Sequence, residues 1–189
     1  MRKGSFRNIL EDCPIIAAVK DEEGLHKSLS GDNQIIFVLY GDICSIPQIV
    51  EEIKAAGRIA MVHMDLLGGI SNKEVAVDYI HDTAGADGII STKPALIKRA
   101  KELEMYTVLR IFLLDSLAYE NLLKQCNLCK PDCIEVLPGV MPKVIERIRK
   151  DERTPIIAGG LISDKEDIMA ALQAGAVSIS TTKSELWNV

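Results

Sequence analysis

The chain has 189 residues, 48% of them hydrophobic and 26% charged, a length and composition that suit one globular domain with a sizeable core. Its formal charge of −5 and pI of about 5.3 exclude a global basic footprint for nucleic acid and leave only a local patch for that purpose. No apolar run approaches the ~18 residues of a bilayer span, and the basic opening Met1–Asn8 leads into no signal-type apolar stretch, so a cytoplasmic protein without a membrane partner is expected.

Eight short apolar segments read as buried strands. They begin near Ile15, Ile35, Ile59, Asp87, Thr107, Cys133, Pro155 and Val177, at steps of 20, 24, 28, 20, 26, 22 and 22 residues. Each step has room for a strand, a turn, a helix of about ten residues and a return. The segments between them carry helix signals. Ser45-Ile46-Pro47 reads as a cap and first turn, and Ile49, Val50 and Ile53 as its apolar face. Ser71–Glu74 and Ser163–Glu166 resemble capping boxes. Pro94 and Pro142 fit first turns, and Ala174-Gly175-Ala176 closes a helix. Eight regular β–α units predict an α/β protein: a compact (βα)8 TIM-like barrel of parallel strands with short loops, one domain over residues 1–189. A doubly wound open sheet is the fallback. No GxGxxG follows the first strand, so no dinucleotide cofactor is called for.

In such a barrel the strand C-termini build the functional face. Reading them in order collects Lys20, Asp42, His63, Asp65, Lys93, Arg110, Glu135, the pair Gly159-Gly160, and Ser180-Thr181-Thr182. The last two units, rich in Gly and Ser/Thr and followed by a short segment from Ser184, fit the phosphate site of this fold. Gly159, Gly160, Ser180, Thr181 and Thr182 are the candidate phosphate contacts, helped by the dipole of a helix starting near Ser184. Asp42, Asp65, Lys93, Arg110 and Glu135 are the candidates for the rest of a pocket, the carboxylates accepting from hydroxyls and the cations adding positive charge. A self-satisfied salt-bridge network at the barrel mouth is the competing reading.

Nothing in the spacing names a reaction. Lys93 could form a Schiff base only with a depressed pKa, and His63 could serve as a base. No HxH or HExxH spacing is present, so no metal is expected there. Cys126-Asn127-Leu128-Cys129 with Cys133 nearby has metal-ligand spacing but lacks a local fourth ligand, and burial explains the thiols as well.

Several motifs together resemble one family. They are Ile89–Lys93, Arg110–Ser116, Pro131–Gly139 with its PD-IE-LPG pattern, Ile157–Ile162 with AGGLI, Ser178–Thr182 and Leu186-Trp187, with His63–Leu66 similar as well. From about Ile9 to Trp187 the chain is similar to the glycerol-3-phosphate-responsive antiterminators of bacterial glycerol uptake operons. The resemblance implies a regulator rather than an enzyme. It would bind glycerol 3-phosphate as effector and then the leader mRNA of a glycerol-metabolism operon, with no cofactor. The alternative on the same barrel is a phosphate-sugar enzyme of aldolase, isomerase or prenyltransferase type using Lys93, His63, Asp65 and Glu135. Three basic clusters could meet RNA: Arg2-Lys3-Arg7, Lys98-Arg99-Lys101, and Lys143-Arg147-Arg149-Lys150-Arg153. The Leu66–Ile70 loop, with its paired glycines, is a candidate route for signalling. The oligomeric state is left open, a homo-oligomer included.

Overall fold

The computed structural model describes residues 6–188. Arg2 and Lys3 of the first basic cluster lie outside them. Eight strands, β1 (Ile15–Val19), β2 (Ile35–Val38), β3 (Ile59–His63), β4 (Gly88–Ser91), β5 (Tyr106–Phe112), β6 (Cys133–Leu137), β7 (Ile156–Gly159) and β8 (Ser178–Thr181), pair in sequence order. All pairings are parallel, and β1 also pairs β8, which closes the barrel. The expected fold is therefore the observed one, and each strand lies within a residue or so of its predicted start.

An unexpected helix, α1 (Phe6–Asp12), precedes β1. Its Phe6, Ile9 and Leu10 share one face by helical spacing. Phe6 and Leu10 are buried against Ile16, Ile35, Phe37, Met61, Val108 and other inward-facing strand residues. The Phe6 ring stacks on Tyr106 with centroids 4.5 Å apart. A closed barrel has an open lower end, and α1 fills it. The helical spacing of Phe6, Ile9 and Leu10 was the available signal in the sequence.

Seven crossover helices follow β1 to β7: α2 (Glu22–Leu29), α3 (Ile46–Ala55), α4 (Glu74–Asp82), α5 (Pro94–Glu102), α6 (Ser116–Cys129), α7 (Pro142–Asp151) and α8 (Lys165–Gln173). Pro stands in the first turn of α3, α5 and α7, as expected. Three capping assignments change. Ser45 stands at the N-cap of α3 but makes no side-chain cap bond, its hydroxyl accepting instead from the Asp42 N–H at 2.9 Å. Ser71 caps nothing, because α4 starts at Glu74 after Lys73 and no side chain caps it. At α8 the box is displaced by one residue: Asp164 accepts from the Asp167 N–H at 2.9 Å, while Asp167 Oδ2 accepts from Ser163 N–H and its hydroxyl, each at 2.8 Å. A carboxylate takes the cap in preference to the neighbouring hydroxyl because it accepts more strongly at a helix N-terminus. After β8 the described residues hold only a 3₁₀ turn, Ser184–Leu186, and then the buried Trp187, whose Nε1–H donates to the Thr181 carbonyl at 2.8 Å.

Strand side chains alternate between the helix-facing layer and the barrel interior. The lower interior is apolar: Ile16, Ile35, Phe37, Met61, Ile90, Val108, Cys133 and Ile157. Two residues further along the same strands, the inward positions become His63, Arg110, Glu135 and Gly159, with Ser180 beside them in register with Gly159. The polar layer thus sits directly beneath the C-terminal mouth.

Candidate functional site at the barrel mouth

Register places Arg110 of β5 beside Glu135 of β6. Arg110 Nε donates to Glu135 Oε2 at 2.5 Å, and the Ser180 hydroxyl donates to Glu135 Oε1 at 2.5 Å. Arg110 is 8% exposed and Glu135 1%, so this is a buried ion pair with both carboxylate oxygens satisfied. The terminal nitrogens of Arg110 have no protein acceptor among the described residues, and the residue lines a cavity of about 430 Å³ at the C-terminal mouth. Gly160, Leu161, Ser163, Thr182 and Lys183 form its upper wall, and Ala18, Leu39 and Leu137 supply apolar surface. The cavity is therefore apolar on one side, with an anchored guanidinium below and the last two strand ends above.

Gly159 and Gly160 serve different needs. A Cβ on Gly159 would lie 2.5 Å from Ser180 Oγ and 2.7 Å from Glu135 Oε1. The missing side chain leaves room for the Glu135–Ser180 contact, a reason invisible in the sequence motif. Gly160 has φ of 73° and Leu161 after it has φ of 62°, so two successive left-handed residues turn the chain over the cavity. Gly159→Ala is expected to cost about 1–3 kcal/mol by overpacking, read as a lower urea midpoint at unchanged slope. An unchanged midpoint would contradict this role.

Asp65 and Lys93 form a second cluster. Lys93 Nζ donates to Asp65 Oδ1 at 2.9 Å, while Asp65 Oδ2 accepts from Thr92 N–H at 2.7 Å and from the Ser91 hydroxyl at 3.1 Å. Burial alone would raise the Asp65 pKa, but the bonds from Lys93, Thr92 and Ser91 outweigh it and hold the carboxyl below its usual range. These two residues satisfy each other and do not line the Arg110 cavity. Asp42 lies further away in function: it is exposed, and its Oδ1 accepts from the N–H groups of Cys44 and Ser45 at 2.8 and 2.9 Å. Those bonds, Ser45's first, hold its carboxyl low, so Asp42 and Ser45 fold the turn before α3. The Leu66–Ile70 loop is pinned to that turn, since Ile43 N–H donates to the Gly68 carbonyl and Gly68 N–H to that of Gly41, at 2.9 and 3.0 Å.

His63 is 3% exposed, and neither ring nitrogen has a partner among the described residues. Burial, reinforced by Arg110, lowers its pKa to about 4. Such an imidazole is neutral at pH 7 and too weak a base for proton abstraction there. The cysteines do not converge: Cys126 and Cys129 pack between α6 and the sheet, whereas Cys133 faces the barrel interior. Burial pushes their thiols up, to about 12 for Cys126 and about 11 for Cys129.

Of the ten predicted contacts, Arg110, Glu135, Gly160, Ser180, Thr181 and Thr182 border one cavity, with Gly159 shaping its floor. Asp42, Asp65 and Lys93 do not line it. Lys183 was overlooked. It lines the cavity wall, and its Nζ lies 3.2 Å from the Ser163 carbonyl; its position right after the Ser/Thr run was the available signal. The phosphate-orienting helix expected at Ser184 is a three-residue 3₁₀ turn, too short to build a useful dipole. Cationic Arg110 and Lys183 are the charges that remain.

An eight-stranded parallel barrel with a cavity bordered by Arg110 and Lys183 at its C-terminal mouth places the chain in the (βα)8 class. The chain belongs to the glycerol-3-phosphate responsive antiterminator family, whose model matches residues 15–187. It is 45% identical over 182 residues to the uncharacterized protein YgcP of Escherichia coli (strain K12), covering 96% of this chain and 95% of that one. The crystal structure of a glycerol uptake operon antiterminator regulatory protein from Listeria monocytogenes superposes with a TM-score of 0.89 at 32% identity, covering 92% of this chain and 94% of that one. A glycerol uptake operon antiterminator-related protein from Thermotoga maritima gives 0.81 at 34% identity, covering 92% and 96%. The resemblance read from the sequence motifs is thus the family found.

Proposed function

We propose that this protein is an effector-gated RNA-binding regulator, with glycerol 3-phosphate held in the mouth cavity and leader mRNA bound preferentially by the occupied state. The carrying observation is the Arg110 guanidinium, locked by Glu135 on one edge while its terminal nitrogens face a cavity lined by Gly160, Thr182 and Lys183. A fixed, planar donor fork suits a phosphate, and Lys183 adds a second cation above it. Ser163, Thr182 and the apolar wall of Leu39 and Leu137 suit a short polyol chain. The regulatory role follows the family. It is supported by a mouth in which Lys93 is tied to Asp65 and His63 is a buried weak base, so neither the amine candidate nor the base candidate of the sequence is poised for chemistry. No helix among the described residues is long and apolar enough to cross a membrane.

Ligand occupancy should stabilise the fold by mass action. At a hundredfold excess over Kd, glycerol 3-phosphate is expected to raise Tm by about 5–10 °C, with glycerol giving no shift and Arg110→Met abolishing the response. The absence of any shift at millimolar glycerol 3-phosphate would overturn the ligand assignment.

A further inference from the structure

The three basic clusters of the sequence have different fates in the fold. In the first, Arg7 is bound to Glu11 at 2.8 Å. In the second, Arg99 is held by Asp78 and Glu102, at 2.7 and 2.8 Å, and Lys101 by Asp132 at 3.1 Å. Their charge is largely neutralised by the protein itself. The third cluster, on α7 and just after it, is different. Lys143, Arg147, Arg149, Lys150 and Arg153 are all exposed, and none forms an ion pair among the described residues. The nearby acids are mostly occupied: Asp151 accepts from the Tyr119 hydroxyl at 2.7 Å, and Glu152 accepts from the Arg153 and Thr154 N–H groups at 2.8 and 2.9 Å. Those donors are neutral and leave the carboxylates charged, so with Glu146 the stretch sets five cations against three acids, a local excess of positive charge.

Helical spacing puts Lys143, Arg147 and Lys150 on one stripe, opposite the buried Ile145 and Ile148. The stripe spans about 10 Å along the helix axis. The Arg147 guanidinium carbon sits over the Tyr119 ring, 4.4 Å from its centroid, a contact that holds the guanidinium in place without neutralising it. Arg149 and Arg153 extend the positive surface to the lower end of the barrel, where with Arg7 they line a groove of about 260 Å³. In a chain of net charge −5, this run of exposed cations is a local positive surface, the kind of patch that draws an anionic partner.

We infer that α7 is the RNA-contacting surface of this protein, with Lys143, Arg147 and Lys150 meeting backbone phosphates. The assignment rests on the regulator reading above. A membrane fits less well, because the apolar face of α7 is spent inside the barrel and the exposed face offers only charge. The surface is also joined to the effector site. The loop entering α7 carries Gly139, whose N–H donates to the Gly160 carbonyl at 3.0 Å. A Cβ on Gly139 would lie 2.9 Å from Gly159 N, so the two backbones are in direct contact. A ligand that fixes the Gly160–Leu161 turn therefore biases the start of α7, which supplies the differential contact that effector coupling needs.

The test is binding of a labelled leader transcript of the host's glycerol uptake operon, followed by fluorescence anisotropy across a salt series with saturating glycerol 3-phosphate. The triple variant Lys143→Gln/Arg147→Gln/Lys150→Gln is expected to weaken binding by tenfold or more and to flatten the log–log salt slope by about 2. A control of matched charge, Lys98→Gln/Lys101→Gln/Lys124→Gln, should keep the wild-type slope. Both variants change exposed residues, and a retained Tm response to glycerol 3-phosphate certifies fold and effector site. An unchanged slope in the folded α7 variant, or an equal loss in the control, overturns the surface. Binding of wild type to anionic vesicles but not to the transcript also overturns it. Wild type that binds no leader RNA even at low salt overturns the regulator reading itself, a result distinct from a failure confined to α7.

Discussion

Glu135→Gln is expected to destabilise the protein by about 3–5 kcal/mol, because it leaves Arg110 charged, buried and unpaired. The variant keeps the side-chain shape and an acceptor for the Ser180 hydroxyl. What it removes is the charge that compensates a guanidinium only 8% exposed. The double variant Arg110→Met/Glu135→Met should recover most of that stability, since replacing both partners of a buried pair with apolar groups is often neutral. It should nevertheless lose the thermal response to glycerol 3-phosphate, because the anion's ligand is gone. Urea unfolding of the singles and the double provides the cycle. A Glu135→Gln protein within 1 kcal/mol of wild type would mean that the pair is a minor element, and a double variant that still responds to the effector would remove Arg110 from the binding site.

The second large effect is a dependence on acid. His63 titrates at about 4 in the folded protein, against about 6.5 in an unfolded chain. The unfolded state therefore takes up a proton first as pH falls, and folded stability drops between those two values. The loss is present below the unfolded pKa, grows down to the folded one and then levels off. Relative to a His63→Leu variant, wild type is expected to lose about 2 kcal/mol between pH 7 and 5 and about 3 kcal/mol by pH 4. Arg110 and Lys93 face the ring with the same sign of charge as imidazolium and Asp65 with the opposite sign, and burial is the largest cause of the shift. Parallel stability–pH curves for the two proteins would show that the imidazole is not buried as described. Asp65 contributes in the same direction at lower pH, because its carboxyl is also held low.

The site divides along a physical line. The carboxylates picked out by position at strand ends were sound as a list of polar groups at the mouth, but position does not say what a carboxylate faces. Asp42 is claimed by backbone N–H groups two and three residues ahead, a local interaction that wins because it costs almost no loop closure. Asp65 and Lys93 are joined across 28 residues, a partnership that exists only because β3 and β4 are neighbours in the barrel. Lys183 went unnoticed because a lysine after a strand is ordinary in sequence and acquires meaning only when the β7 and β8 ends are seen to share one cavity. The basic clusters carry the same lesson, since only packing decides which cations find carboxylates.

The sequence by itself determined the eight-unit rhythm, the parallel barrel, the polar ring at its C-terminal end and the family. These follow from local causes: the period of apolar residues, prolines in first turns, and motifs a few residues long. The tertiary structure alone decided that α1 plugs the lower end, that Gly159 is bare to admit the Glu135–Ser180 contact, and that α7 carries the unneutralised charge. Each of those depends on which residues meet, or fail to meet, far apart in the chain, as Arg110 and Glu135 meet across 25 positions. Barrel closure sets those meetings, and no window of sequence contains them.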